Sequence, residues 1–285
     1  MKRSDFRFRE RLRVRWVEID AQKIVFNGHY LMYADTAVAG YWRALALPYA
    51  STMEQLGGDL YVRKATVEYH GSARLDELID VGMRCASIGN SSMVFEAGIF
   101  RAEELLVSVA LVYVFADPAT QTSKPVPPAL REVLQDFEAG RPMVEVHVGA
   151  WREWGDAARA IRSAVFVQEQ RIPAELEWDD ADASCVHALA VNRFGVPLAT
   201  GRLQAHAPGV AKVGRMAVAS VLRGSGIGRQ VLDALIEVSR ARGDREVMLH
   251  AQLSAAPFYA RAGFAPRGPV FEEAGIPHVE MVRAP

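Results

Sequence analysis

The sequence is poor in cysteine and in long apolar runs, and each shortage excludes a class of protein. Its two cysteines, Cys85 and Cys185, lie far apart and form neither a disulfide pattern nor a metal-ligand spacing. They favour a reducing, cytoplasmic compartment. The longest apolar run, 105–116, is interrupted by Ser108 and is too short to cross a bilayer. Arginines near the start alternate with other residues as in a strand, so we expect no export signal.

Excess charge is also missing. The chain has 33 Lys and Arg against 34 Asp and Glu, a formal net charge of −1. This balance argues against nucleic acid or an anionic membrane as the main partner. The length of 285 residues predicts two domains.

Proline and glycine mark the expected domain boundary. Three prolines lie at 125, 127 and 128, a short helix is predicted over Ala129–Glu138, and Gly140 and Pro142 then begin a new pattern. We therefore predict domains at residues 1–138 and 139–285.

The first domain is predicted to be α+β. Alternation over Arg7–Glu18 indicates a strand, and apolar residues at helical spacing indicate a long helix over Asn27–Leu45. Further strands are predicted at Leu60–Tyr69, Leu78–Ile88, Ser92–Arg101 and Leu105–Phe115. Because the helix is apolar over much of its girth, we expect an antiparallel sheet to wrap around it.

The second domain mixes helices and strands, which predicts an α/β domain with a mixed sheet. The predicted helices are Asp156–Glu169, Gly226–Arg242 and Pro257–Ala262. The predicted strands are His187–Val191, Leu198–Gln204, Val213–Val218, Glu246–Ala251 and Val279–Val282.

A glycine-rich turn lies between one of these strands and the helix that follows. Its sequence is Arg223-Gly224-Ser225-Gly226-Ile227-Gly228. Backbone N–H groups converge at such a junction and the helix directs its positive end toward them, so the site suits a pyrophosphate. The spacing is neither that of a dinucleotide fingerprint nor that of a P-loop.

The turn, together with Arg215-Met216-Ala217-Val218 before it and Phe258-Tyr259 after it, resembles the GNAT N-acetyltransferases over about Met143 to Met281. The closing segment Gly275–Met281 is similar to the ElaA-like branch. The resemblance implies that acetyl-CoA or another acyl-CoA enters as a substrate, with no tightly bound cofactor. It assigns Tyr259 as the general acid that protonates the leaving thiolate. It also implies that CoA is held by Met216, Ala217, Val218, Arg223, Gly224, Ser225, Gly226, Ile227, Gly228 and Arg229.

The sequence does not identify the general base that would deprotonate an acceptor amine. An acidic run such as Glu175–Asp182 is more often a solvated loop, and a lone histidine is more often a satisfied core residue. The candidates are Glu169, Glu175, Glu177, Asp179, Asp180, His187, His250 and His278.

In the first domain, Asp20 precedes the long helix. Such a residue is often a cap or a surface charge. It can also act on a thioester whose carbonyl is polarised by the helix N-terminus. The pattern of Asp20, Val25, Asn27 and Tyr30 resembles hotdog-fold acyl-CoA thioesterases of the YbgC and 4-hydroxybenzoyl-CoA type, over about residues 8 to 137. The resemblance implies that Asp20 is nucleophile or general base and that backbone N–H near Asn27 stabilises the oxyanion. Lys23 replaces the glycine usual in that family.

Three hypotheses follow. The chain is a bifunctional thioesterase and N-acyltransferase, or the hotdog domain only dimerises or binds acyl-CoA, or both domains sense acyl-CoA without turnover. The resemblance to hotdog proteins implies a homodimer or tetramer. Apart from acyl-CoA and an unidentified amine, no nucleic acid, membrane or metal is expected as a partner.

Overall fold

The computed structural model describes residues 1–285, which divide into two compact units, residues 1–143 and 144–285. Residues just after the predicted boundary at 138/139 still contact the first unit: the carbonyl of Arg141 accepts a hydrogen bond from Arg7, and its guanidinium pairs with Asp136. The boundary at 138/139 itself stays a prediction. In neither unit is a helix both long and apolar enough to cross a bilayer.

The first unit is one long helix packed against a five-stranded antiparallel sheet. Tyr30, Tyr33 and Tyr41 of the helix are buried, which removes large aromatic surfaces from water. The sheet order is β1-β3-β4-β5-β2, so β1 and β2 form its edges. The elements are β1 (Phe8–Arg13), α1 (His29–Ala44), α2 (Tyr49–Leu56), β2 (Asp59–Tyr69), β3 (Leu78–Ile88), β4 (Ser92–Arg101), β5 (Glu104–Ala116) and α3 (Pro128–Glu138), with 3-10 turns at Arg3–Asp5 and Trp16–Glu18.

The strand predicted over Arg7–Glu18 is shorter than expected. It ends at Arg13, and the chain turns at Trp16–Glu18 because the buried Glu18 carboxylate accepts hydrogen bonds from the Arg15 backbone N–H (2.7 Å) and the Tyr33 hydroxyl (2.6 Å). Burial alone would raise the pKa of Glu18, but these hydrogen bonds lower it overall. Glu18 therefore fixes the chain just before Asp20.

The second unit is a seven-stranded mixed sheet in the order β11-β12-β10-β9-β8-β7-β6. Its strands are β6 (Val144–Ala150), β7 (Val186–Asn192), β8 (Pro197–Ala207), β9 (Val210–Val218), β10 (Glu246–Gln252), β11 (Ala265–Glu273) and β12 (Ile276–Arg283). Its helices are α4 (Trp151–Arg162), α5 (Ala174–Glu177), α6 (Ile227–Arg242) and α7 (Ala256–Arg261), with a π-helical segment at Ser163–Glu169 and 3-10 turns at Asp180–Ser184 and Ser220–Leu222.

Strand β11 was not predicted, because Pro266, Gly268 and Pro269 interrupt its pattern. It lies at the sheet edge, where proline is tolerated, and its register shifts between Arg267 and Phe271. The other edge strand, β6, was also missed, although its alternating valines carry the signal of a strand.

The sheet opens between β9 and β10, its one parallel pair. These strands pair only over Val210–Val213 and Glu246–Leu249, although β9 runs on to Val218 and β10 to Gln252. The far ends of the two strands are therefore unpaired with each other. Their backbone N–H and C=O groups on that side are available to a ligand.

Candidate functional site

A cleft of about 1130 Å³ lies at the open end of β9 and β10. Nine of the ten residues predicted to bind CoA line it: Met216, Ala217, Val218, Arg223, Gly224, Gly226, Ile227, Gly228 and Arg229. The tenth, Ser225, does not line it, because both its N–H (3.3 Å) and its hydroxyl (2.6 Å) bond the carbonyl of Leu222. Its predicted ligand contact therefore has no support from the geometry.

The glycine turn leaves a row of backbone donors unused. The N–H groups of Gly224, Gly226, Ile227 and Gly228 make no hydrogen bond within the chain. Ile227 and Gly228 are the first residues of α6, where N–H groups have no helical partner and the helix dipole is positive. This arrangement is suited to binding a pyrophosphate.

Two glycines of this turn have distinct roles. Gly226 has φ +86°, a left-handed conformation that caps α6, and an added Cβ would meet no atom within 4 Å. Gly228 is crowded instead, because its Cβ would lie 3.0 Å from Val218 Cγ2. Gly228 therefore allows the start of α6 to approach the end of β9.

Gly226→Ala is expected to lower the free energy of unfolding of the second unit by about 1–2 kcal/mol, because an alanine in left-handed backbone is strained. Gly214→Ala is the matched control. Its Cβ also meets nothing within 4 Å and its φ is not left-handed, so it should be neutral or slightly stabilising. Urea unfolding of both variants measures the difference, and equal effects would contradict the assignment.

The side chain of Arg223 is held by other residues of the chain. Its guanidinium forms a bidentate pair with Glu169 (2.6 and 2.7 Å), and its Nε donates to the Val218 carbonyl (3.2 Å). The hydrogen bond from Arg223 lowers the pKa of Glu169. Glu169 is thereby held as a charged partner, which makes it a poor candidate for the base.

Tyr259, on α7, lines the same cleft and is 8% exposed. Burial raises the pKa of its phenol to about 12, so it stays protonated at neutral pH. Its hydroxyl makes no hydrogen bond within the chain. The proton is available to a group in the cleft.

The other end of the cleft is lined by polar groups from the four neighbouring strands β9, β10, β11 and β12. The Nδ1 atom of His250 lies 3.0 Å from Glu273 and 3.4 Å from Lys212 Nζ. The Nδ1 atom of His278 lies 2.8 Å from the carbonyl oxygen of Ile276. Burial would raise the pKa of Glu273, but its hydrogen bond to His250 and the charges of His250, His278 and Lys212 lower it overall.

The acidic run Glu175–Asp182 is not simply a solvated loop. Glu177 and Asp182 are buried, and both pair with Arg162, which is only 1% exposed. The cluster is not evident from the sequence, because Arg162 lies on a helix and its partners lie 15 and 20 residues further along the chain.

The remaining base candidates separate by position. Glu177 and Asp179 line the cleft but pair with arginines, Asp179 with Arg202 (2.5 Å). His187 is buried against Asp182 and lies outside the cleft lining, as do Glu175 and Asp180. His250 and His278 are the histidines that line it.

In the first unit, Asp20 lies half-buried in a tight turn. Its Oδ1 accepts from the Gln22 N–H (2.8 Å), and its backbone bonds Ile24 and Lys23. Lys23 takes the left-handed conformation (φ 63°) that explains why a glycine is usual there, and it forms no ion pair with Asp20. The second carboxylate oxygen of Asp20 makes no hydrogen bond within the chain.

Asn27 and Gly28 lie at the start of α1, and neither N–H makes a hydrogen bond within the chain. The neighbouring backbone is fixed: Val25 N–H donates to Ala73 (2.9 Å), and the Tyr69 hydroxyl donates to the Asn27 carbonyl (3.1 Å). Two free donors at a helix N-terminus can bind a developing oxyanion.

Comparison with known proteins matches each unit separately. A family model described as "Acetyltransferase (GNAT) domain" matches residues 167–284, and one described as "Thioesterase superfamily" matches residues 22–108.

Protein ElaA of Escherichia coli K12 is 34% identical over 127 residues, which are 43% of this chain and 82% of that protein. The uncharacterized N-acetyltransferase YjcF of Bacillus subtilis is 33% identical over 124 residues, 43% of this chain and 87% of that protein. A solved thioesterase of Thermus thermophilus, complexed with coenzyme A and Zn, is 25% identical and covers 49% of this chain and 98% of that one, with a TM-score of 0.42.

Proposed function

Given that the chain belongs to the GNAT acetyltransferase family through its second half and carries a thioesterase-superfamily domain in its first, we propose that it is a bifunctional acyl-CoA enzyme. The predicted fold class, a hotdog domain followed by a GNAT domain, is confirmed by these matches. The proposed reactions are thioester hydrolysis in the first unit and acyl transfer to an amine in the second. Two unpaired cysteines support the proposal of a cytoplasmic location.

The four unused N–H groups at Gly224, Gly226, Ile227 and Gly228 are the observation that carries the transferase assignment. They can hold the CoA phosphates at the start of α6. The side of the Met216–Val218 backbone that faces β10 is unpaired and is then in place to bond the pantetheine arm, which would lie between β9 and β10 like an added strand. The thioester would thereby reach the cleft beside Tyr259.

In the transfer step, the amine nitrogen forms a bond to the thioester carbonyl carbon and the C–S bond breaks. The electron pair of that bond goes to sulfur, and the thiolate takes the proton of the Tyr259 hydroxyl. Because the Tyr259 phenol has a pKa of about 12, it remains a proton donor across the physiological range.

Tyr259→Phe is expected to lower kcat for acyl transfer by about 10²-fold, since the thiolate would leave unprotonated. Affinity for CoA should stay within about threefold, because the ring is retained. Thiol release from acetyl-CoA measures kcat, and calorimetry measures the affinity for CoA. An unchanged kcat would reject Tyr259 as the acid.

Hydrolysis by the first unit is supported by the free Asp20 oxygen and the free N–H groups of Asn27 and Gly28. Asp20 would activate water or attack the carbonyl carbon itself, and the helix N-terminus would stabilise the oxyanion. The alternative is that this domain only dimerises or binds acyl-CoA, and the Asp20 variant described in the Discussion separates the two.

A homodimer or tetramer is proposed from the edge strand β2. Eleven residues long, it pairs with β5 on one side and presents an open edge on the other. Tyr61, Val62 and Tyr69 are exposed along it, at 37%, 53% and 52%. An exposed edge of this length and apolarity favours pairing with a second copy.

A screen over acyl-CoA chain lengths tests the whole proposal. CoA release without amine reports hydrolysis, and extra release with a panel of amines, together with an acylated product, reports transfer. Tight CoA binding with neither activity would instead support an acyl-CoA sensor.

A further inference from the structure

The imidazole of His278 has its tautomer fixed by its surroundings. Its Nδ1 atom lies 2.8 Å from the Ile276 carbonyl oxygen. A carbonyl oxygen can only accept, so Nδ1 carries the proton and Nε2 of the neutral ring holds a lone pair. Nε2 makes no hydrogen bond within the chain and is not sealed from solvent, and His278 lines the cleft.

Strand register positions His278 at the open end of the sheet. It lies opposite Gln252, the last residue of β10, so the two side chains share a face. The Gln252 amide donates to Gln170 (3.1 Å), the residue that follows the π-helical segment. His250 lies two residues earlier on β10, directly after Leu249, which is the last residue of β10 that pairs with β9. Of the two histidines, His278 therefore lies farther along the unpaired end, where the thioester is expected.

An aromatic ring and a carboxylate lie next to His278. Phe271 stacks on it, with ring centroids 6.1 Å apart and an interplanar angle of 24°. The Glu273 carboxylate is close enough to interact electrostatically with His278 and is itself held by His250. Lys212 Nζ lies 3.4 Å from the Nδ1 atom of His250. A charged imidazolium would therefore have a nearby anion.

We propose that Nε2 of His278 is the general base that takes the proton from the acceptor ammonium group. The inference rests on the proposed acyl transfer and supplies its missing base. Glu169, Glu177 and Asp179, the carboxylate candidates at or near the cleft, are each paired with an arginine. An alkylammonium acceptor must lose a proton before its nitrogen can attack, since alkylamines are nearly all charged at neutral pH.

The protons balance as follows. R–NH₃⁺ gives one proton to Nε2, and the freed lone pair forms the C–N bond. The C–S electrons go to sulfur, which takes the Tyr259 proton, and the nitrogen loses its extra proton to solvent. His278 then releases its proton and Tyr259 regains one, so each turnover converts R–NH₃⁺ and acyl-CoA into amide, CoA–SH and one proton.

His278→Asn tests the proposal, because the asparagine amide can still donate to the Ile276 carbonyl but offers no base. Two acceptor probes are compared with acetyl-CoA as donor: hydroxylamine, which is largely unprotonated at neutral pH, and the best alkylamine from a panel of 1,4-diaminobutane, benzylamine and lysine amide. The variant is expected to lose about 10²-fold or more in kcat with the alkylamine. Its rate with hydroxylamine and its Kd for CoA should stay within about threefold.

Matched variants separate a catalytic from a structural role. His206→Asn, an exposed histidine on β8, should change neither rate. His250→Asn should lower the alkylamine rate less than His278→Asn. An unchanged alkylamine rate in His278→Asn, an equal loss with both probes, or a larger loss in His250→Asn would overturn the proposal.

Nitrogen NMR of the wild-type chain, labelled at histidine, gives a second test that needs no acceptor. We expect the neutral ring of His278 to be the Nδ1–H tautomer, with the lone pair on Nε2. An Nε2–H tautomer would overturn the proposal even if no alkylamine in the panel reacts. If wild-type protein transfers acetyl to neither probe, the proposed transferase function fails and this inference fails with it.

Discussion

Replacing Arg162 by alanine is expected to lower the free energy of unfolding of the second unit by about 3–5 kcal/mol. Arg162 Nε donates to Glu177 (2.5 Å) and Nη1 to Asp182 (2.9 Å), and all three residues are buried. Without the guanidinium, buried Glu177 would keep only Arg215 at 3.5 Å, and Asp182 would keep Arg202 but lose its bidentate partner. Burial already raises the pKa of Glu177 more than its ion pairs lower it.

Arg159→Ala is the control. The guanidinium groups of Arg162 and Arg159, one turn apart on α4, both stack over Trp151 and Trp178. Arg159, however, is exposed and pairs with no buried carboxylate. We expect it to cost no more than about 1 kcal/mol. Urea unfolding followed by tryptophan fluorescence measures both variants, with the two units fitted as separate transitions. Equal losses would mean that Arg162 contributes by stacking, and the buried cluster would not be the source of its effect.

Asp20→Ala is expected to lower kcat/KM for acyl-CoA hydrolysis by about 10²- to 10⁴-fold while leaving acyl transfer unchanged. The loss follows because the free Asp20 oxygen is the group proposed to activate water or to attack the thioester beside the N–H groups of Asn27 and Gly28. Hydrolysis is measured as CoA release from a series of acyl-CoA chain lengths in the absence of amine.

Glu103→Gln is the matched control for Asp20. It removes a carboxylate from an exposed hairpin of the same unit, where the side chain is 78% exposed, and should leave hydrolysis unaltered. Hydrolysis that survives in Asp20→Ala would remove Asp20 from the mechanism. It would favour a binding or dimerising role for the first unit.

Local patterning predicted much of the fold. The bounds of β3 and β4 were predicted to the residue, and α1 to within two residues at its start. The edge strand β11 escaped prediction because two prolines and a left-handed glycine mask its pattern. The eight-residue helix α2 is too short to show a clear periodicity.

The sequence predicted some parts of the candidate sites and not others. The glycine turn and Asp20 could be predicted because their roles depend on residues adjacent in sequence, whose spacing is visible directly. The roles of His278 and Arg162 depend on strand register and on helix–loop packing, which join residues distant in sequence. A histidine among many becomes distinctive only once its carbonyl partner, and so its tautomer, is known.

Lys23 affects both the stability of its turn and the charge near Asp20. Its left-handed backbone is strained by about 1–2 kcal/mol relative to a permissive residue, and its ammonium is an exposed cation in the same turn as Asp20. Restoring glycine there would relieve the turn and delete the cation in one step. Selection for a more stable first unit would therefore favour Lys23→Gly. Each variant with glycine at position 23 would also lack the positive charge in the turn that carries the Asp20 carboxylate.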